Sequence, residues 1–144
     1  WCCKRITMKQ YEYLEHTSDE QFRAYGRSWE EAFTNAAYAM FDIITDHTKV
    51  ESILEKKFSI KAENKEALVY DFLEEFLYYV DAEGILLHEI NDLNINNNTL
   101  TVKFSGDDET NRYDINTHIK AVTYQNMIVK KKNDRYIIQV VVDI

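Results

Sequence analysis

The sequence predicts an α+β domain: a largely antiparallel β-sheet with two amphipathic helices packed on one face. Three observations carry this. Two segments repeat apolar residues in steps of three and one, the stripe of a 3.6-residue helix. The other patterned segments alternate like half-buried strands and are joined by short polar turns, which favours antiparallel pairing. The length, 144 residues, is that of one ordinary domain, and no linker, repeat or low-complexity tract divides it.

Taken in order, residues 1–7 (Trp1-Cys2-Cys3-Lys4-Arg5-Ile6-Thr7) lack the long apolar stretch of a signal peptide. Met8 stands just before the first patterned segment. The expectation is a native start at Met8, a non-native or unstructured extension over 1–7, and one domain over 8–144. Tyr11–Glu15 and Phe22–Gly26 alternate as strands. Trp29, Ala32, Phe33, Ala36, Ala37, Met40, Phe41 and Ile44 form the first helical stripe, and the helix is expected over Ser28–Thr45. Ser28 and Glu31 stand at capping-box spacing. Phe58–Ala62 alternates again between the helices. Leu68, Val69, Phe72, Leu73, Phe76, Leu77 and Val80 form the second stripe, with Asn64 as N-cap and Gly84 as left-handed end. Asp71, Glu74, Glu75 and Asp81 fall off that stripe and are expected to face water or a partner. Strands follow at Ile85–Ile95 and Leu100–Phe104 around an Asn96-Asn97-Asn98 turn. Ile119–Tyr124, Met127–Lys131 and Tyr136–Val142 complete the set, with Asn133-Asp134 turning the last hairpin. Both stripes read as core.

Composition narrows the function. Hydrophobic residues are 45% and charged residues 29%, a globular balance. Acidic residues outnumber basic ones 25 to 17, for a net charge of −8. That excess argues against stable nucleic-acid binding, since nucleic acid is itself a polyanion, and against docking on anionic lipid. No apolar run approaches the length of a membrane-spanning helix. Two cysteines make no disulfide framework and sit in no metal motif, and a reducing cytoplasm is the expected compartment. Proline is absent and glycine occurs three times, leaving turns mainly to Asn and Asp.

Most catalytic motifs fail. His88-Glu89 opens like HExxH, but Asp92 stands where the second histidine belongs. No phosphate-cradling glycine loop and no glycine-flanked nucleophilic serine occurs. Asp92-Leu93-Asn94-Ile95-Asn96 matches the first ligand positions of a calcium loop, but Asn97 and Lys103 replace its glycine and bidentate glutamate, so a hairpin is the better account. Asn97-Asn98-Thr99 fits a glycosylation sequon that is idle without secretion.

Three features remain. Glu15-His16-Thr17-Ser18-Asp19-Glu20 puts six polar residues where a two-residue turn would serve. Its oxygen donors and single imidazole suit Mg²⁺, Mn²⁺ or Ca²⁺ rather than Zn²⁺, although spacing alone favours a solvated loop. Val140-Val141-Val142 is a buried-strand run that stops at Asp143-Ile144, leaving a side-chain and a terminal carboxylate close together. Such a pair is costly unless hydrated or answered by a cation. Lys120 lies in a strand pattern, where a lysine ordinarily takes the wet face.

Read together, these segments resemble archease. The likeness rests on Glu15-His16-Thr17-Ser18-Asp19, where the family typically has E-H-T-A-D, and on Ala24-Tyr25-Gly26 with Glu30-Glu31-Ala32-Phe33. Ala36-Ala37, Ala39-Met40-Phe41 and Leu73-Glu74-Glu75-Phe76-Leu77-Tyr78 extend it. Its sharpest part is Ile119-Lys120-Ala121-Val122-Thr123-Tyr124, with Asp143-Ile144 as the expected D-I. The likeness spans about Met8 to Ile144. Two departures stand out: Gln125 replaces a common His, and Glu20-Gln21 follows Asp19 in place of small residues. The resemblance implies a cytoplasmic protein activator, not an enzyme, for the RtcB-type RNA ligase of tRNA splicing, tRNA processing and RNA repair. That ligase forms a guanylylated histidine from GTP with Mn²⁺, and archease promotes this step and multiple turnover. By resemblance Asp19, Lys120 and Asp143 are required. Asp19, Asp143 and the Ile144 terminal carboxylate would hold a divalent cation (Ca²⁺, Mg²⁺ or Mn²⁺), with His16 as a neighbour. The alternatives are a stand-alone metal-dependent hydrolase and a chaperone-like interaction module.

Overall fold

The structure, a computed structural model, describes residues 10–14 and 19–144. His16, Met8 and the boundary expected after residue 7 lie outside the described residues. Among those described, the elements are β1 (Tyr11–Leu14), β2 (Glu20–Gly26), α1 (Trp29–Ile44), β3 (Leu54–Lys61), α2 (Lys65–Glu83), β4 (Leu86–Asn96), β5 (Thr99–Asp107), β6 (Ala121–Lys132) and β7 (Arg135–Asp143). Short 3₁₀ turns occupy His47–Lys49 and Thr110–Arg112. No helix among them is long and apolar enough to cross a membrane.

Both helices start and stop where the local chemistry directs. Ser28 Oγ accepts from the Glu31 amide at 3.1 Å, and Glu31 Oε1 accepts from the Arg27 amide at 2.9 Å. The return bond of the capping box thus lands one residue upstream of Ser28. Asn64 Oδ1 accepts from the Ala67 amide at 2.8 Å, satisfying a donor the helix cannot use internally. Gly84 ends α2 at φ 66°, the left-handed region glycine enters without a Cβ clash.

The strands are shared between two antiparallel sheets. One has the order β1-β2-β7-β6, so the first hairpin meets the last, and the other has the order β3-β5-β4. Helix α1 lies against β2, β7 and β4, and α2 lies against β6, β3 and β5, so the helices join the sheets through one continuous core. Phe33 of α1 meets Phe72 of α2 edge-on at 5.5 Å, Phe41 meets Phe76 at 5.6 Å, and Phe76 reaches Phe104 of β5 at 5.0 Å. Each such buried ring contributes roughly 1.5–3 kcal/mol through area removed from water. All of the first stripe but half-buried Trp29, and all of the second but half-buried Val80, are buried as expected.

β3 and β5 run longer than the sequence reading, and β2 and β6 differ from it where the difference bears on the site. Glu20 and Gln21 belong to β2, paired with Val142 and Val141, so the polar connection after β1 ends at Asp19. Ile119–Tyr124 and Met127–Lys131 merge into one strand, β6, whose ladder with β7 is irregular between Thr123 and Ile128. Asn126 takes φ 53° there, which lets the strand bulge instead of turning. The Asn96–Asn98 turn does close the β4–β5 hairpin, with Asn97 and Asn98 at φ 50° and 62°.

Candidate functional site

The strand order decides which sequence-distant residues meet. β7 is the central partner of β2 and β6. On one side Glu20 stands opposite Val142, so that Asp19 and Asp143 each adjoin the last pair of this ladder. On the other side Ala121 stands opposite Asp143, and the Lys120 amide donates to the Asp143 carbonyl at 2.7 Å. Asp19, Asp143 and Lys120 thus gather at one end of the four-stranded sheet, although 124 residues of chain separate the two aspartates.

Alternation fixes the face. Phe22, Val122, Val140 and Val142 point into the helix-covered core, so the positions of Asp19, Ala121 and Asp143 fall on the opposite face. Asp143 and Lys120 are exposed, Asp19 is half-buried, and Ile144 is half-buried against the core. The cluster therefore opens outward. Two clefts, of about 330 Å³ beside Thr45, Lys49 and Arg112 and about 270 Å³ beside Ile44, Leu77 and Ile115, include none of Asp19, Lys120 and Asp143 in their walls.

Carboxylate and backbone oxygens are hard donors, a set that fits Mg²⁺, Mn²⁺ or Ca²⁺ better than Zn²⁺. Among the described residues, however, no three His, Cys, Asp or Glu side chains come close enough to hold a metal ion.

Residues 11–144 match the model of the archease protein family (MTH1598/TM1083). The chain belongs to the archease family. It is 38% identical over 141 residues to protein archease of Methanosarcina barkeri, covering 94% of this chain and 97% of that one. It is 39% identical over 140 residues to protein archease of Sulfurisphaera tokodaii, covering 95% and 100%. The solution structure of protein 1598 of Methanobacterium thermoautotrophicum superposes with a TM-score of 0.83 at 32% identity, over 95% of this chain and all of that one. A crystal structure of an archease and possible chaperone from Thermotoga maritima shares the fold, with a TM-score of 0.67 at 21% identity over 97% and 100%.

Within this archease fold, three polar clusters escaped the sequence reading. Glu74 of α2, expected to face water or a partner, instead accepts the Val122 amide on Oε2 at 2.7 Å. It caps the edge strand β6 two residues from Lys120. Asp42 of α1 accepts Nδ1 of buried His47 at 2.6 Å and the Tyr11 hydroxyl of β1. Burial pushes the Asp42 carboxyl up, but the His47 and Tyr11 hydrogen bonds outweigh it and hold the pKa below its usual value. His47 also stacks on Tyr38 at 4.5 Å. Asp107 is fully buried; its oxygens accept the Tyr113 hydroxyl at 2.6 Å, the Glu109 amide at 2.9 Å and Arg112 Nη1 at 3.4 Å. Burial again raises this carboxyl, and those bonds more than offset it, leaving the pKa lowered. The cluster pins the 108–120 segment that delivers Lys120. Glu74 finds its partner 48 residues away and nothing local marks it, whereas Asp42 with His47 and Asp107 with Glu109, Arg112 and Tyr113 bond within six residues of chain.

Proposed function

We propose that this archease-family protein is an accessory activator of an RtcB-type RNA ligase, acting in the cytoplasm on guanylylation of the ligase and not as an enzyme itself. The observation that supports this is the strand-end cluster: Asp19 and Asp143 adjoining the terminal Glu20–Val142 pair, with Lys120 bound through its backbone to Asp143. An exposed cluster suits presentation to another protein's pocket better than enclosure of a small substrate. Asp19 and Asp143 would hold a divalent cation (Ca²⁺, Mg²⁺ or Mn²⁺) with an oxygen of Ile144 added to them, while His16, which the resemblance sets beside them, lies outside the described residues. When bound, that ion supplies positive charge for the triphosphate of the GTP that the ligase uses with its own Mn²⁺. Lys120 offsets the negative charge of the aspartates or contacts a phosphate as a point cation. RNA stays on the ligase, in keeping with the net charge of −8.

The test is transfer of radiolabel from GTP to the purified ligase, with and without this protein. Wild type should raise labelling and turnover. Asp19→Ala and Asp143→Ala should abolish the stimulation with an unchanged circular dichroism spectrum. Full stimulation by either variant refutes the assignment. Turnover of a phosphorylated substrate by the protein alone would favour a metal-dependent hydrolase instead. Ligase refolding assistance that survives Asp19→Ala would favour a chaperone-like role.

A further inference from the structure

We propose that the aromatic and acidic face of α2, together with Tyr124 of β6, is the surface that docks the basic rim of the partner ligase. The inference rests on the functional reading above and names the grip which that reading leaves open.

The face begins at the irregularity in β6. Between Thr123 and Ile128 the ladder with β7 is broken, and strand bulges of this kind re-aim side chains at functional edges. The bulge is secured from within the sheet: Gln139 Nε2 donates to the Asn126 carbonyl at 2.8 Å, and Arg23 Nε donates to Gln139 Oε1 at 3.0 Å. Its product is Tyr124, 54% exposed yet stacked on Tyr70 of α2 with ring centroids 4.5 Å apart and planes 6° from parallel. Ladder bonds are given up, and what they yield is a tyrosine held rigidly at the surface.

The face then runs toward the strand-end cluster. Tyr70 and Glu74 lie one helical turn apart, and their contacts, Tyr124 and Val122, lie two strand residues apart. A helix rises about 6 Å over four residues and a strand about 6.6 Å over two. The next turn therefore brings Tyr78, 53% exposed, level with Lys120. Tyr70, Glu74, Tyr78 and Asp81 share one side of α2 at spacings of four, four and three, flanked by Asp71 and Glu75. Lys65 is the only basic residue of α2.

Charge selects the occupant. Rigid tyrosines are favoured anchors at protein interfaces, but an aromatic platform can also stack nucleic-acid bases. Four carboxylates beside Tyr70, Tyr78 and Tyr124 repel a polyanion, which disfavours RNA and anionic lipid. They complement the surface of a protein that itself grips RNA ends and GTP phosphates, which must carry basic side chains around its pocket. Continuity with Lys120 and Asp143 sets the face beside the tip that enters that pocket.

The experiment measures ligase binding by biolayer interferometry for the whole chain and for Tyr124→Ala, Tyr78→Ala and Asp71→Lys, with guanylylation followed in parallel. Each variant should weaken binding by about tenfold or more at an unchanged circular dichroism spectrum. Stimulation should return at saturating variant concentration, a recovery the Asp19→Ala protein should not show. Wild-type binding should weaken as salt rises. Wild-type affinity in both tyrosine variants overturns the proposal. So does loss, in Tyr124→Ala, of a self-association or a single-stranded RNA binding that the wild type displays. Should the wild type neither bind nor stimulate the ligase, the functional reading falls and takes this one with it. Binding and stimulation that ignore the tyrosines overturn only the docking face.

Discussion

Glu74→Ala tests how far a single helix carboxylate secures the edge of the four-stranded sheet. Glu74 Oε2 accepts the Val122 amide at 2.7 Å, and Val122 is 2% exposed, so water cannot readily replace the lost acceptor. A hydrogen bond to a charged group contributes about 1.5–3 kcal/mol, and half-burial of Glu74 argues for the middle of that range, about 2 kcal/mol. For a domain of this size that lowers Tm by about 6 °C, or the urea midpoint by about 1 M. Glu74→Gln keeps an oxygen acceptor without the charge and should lose about half as much, because neutral bonds are roughly half as strong. The neighbouring Glu75→Ala is the control and should change stability by less than about 0.5 kcal/mol. Urea titration gives the stabilities, and hydrogen exchange at the Val122 amide reports the edge directly. If Glu74→Ala matches Glu75→Ala in stability and leaves Val122 exchange unchanged, the cap is no part of what holds β6.

Two further perturbations test the scaffold. A Cβ on Gly106 would lie 2.0 Å from the Leu86 carbonyl oxygen, beside the irregular β4 register, so Gly106→Ala should abolish cooperative thermal unfolding or lower Tm by more than about 10 °C. A wild-type melting curve would contradict the close approach. Asp107 has a lowered pKa in the folded state, so its contribution is present above the unfolded carboxylate value and disappears as pH falls through the folded one. Asp107→Asn should therefore be less stable than wild type at pH 7, with a gap that narrows on titration below about pH 4. Parallel Tm-against-pH curves for the two proteins would refute the assignment.

The helices were legible because their signals are local. Ser28 and Asn64 accept amides three residues on, Gly84 donates its own amide to the Val80 carbonyl, and the apolar stripes need only a 3.6-residue period. β2 was read too short because Glu20 and Gln21 look polar, while their strand character comes from pairing with Val142 and Val141 at the other end of the chain. β6 was read as two strands because Gln125 and Asn126 interrupt its pattern, and only the partner β7 reveals a bulge. The same distinction governs the site. Polar residues around Asp19 and the abrupt stop after Val142 mark two places, but their meeting depends on β7 lying between β2 and β6, which no local pattern encodes. Glu74 was read as solvent-facing for the same reason: helix periodicity shows which residues leave the core, not which of them reach a neighbouring strand's amide.

The placement of β7 has a consequence for how the protein comes into being on the ribosome. Among the described strands the last in chain order sits inside its sheet, so β2 and β6 cannot acquire their shared partner until β7 has emerged. Such distant pairing closes late and slowly compared with the helices, which depend on nearby residues. A nascent chain lacking β7 holds Asp19 and Lys120 without the strand that lies between them. Assembly of the cluster therefore waits on β7 taking its place between β2 and β6.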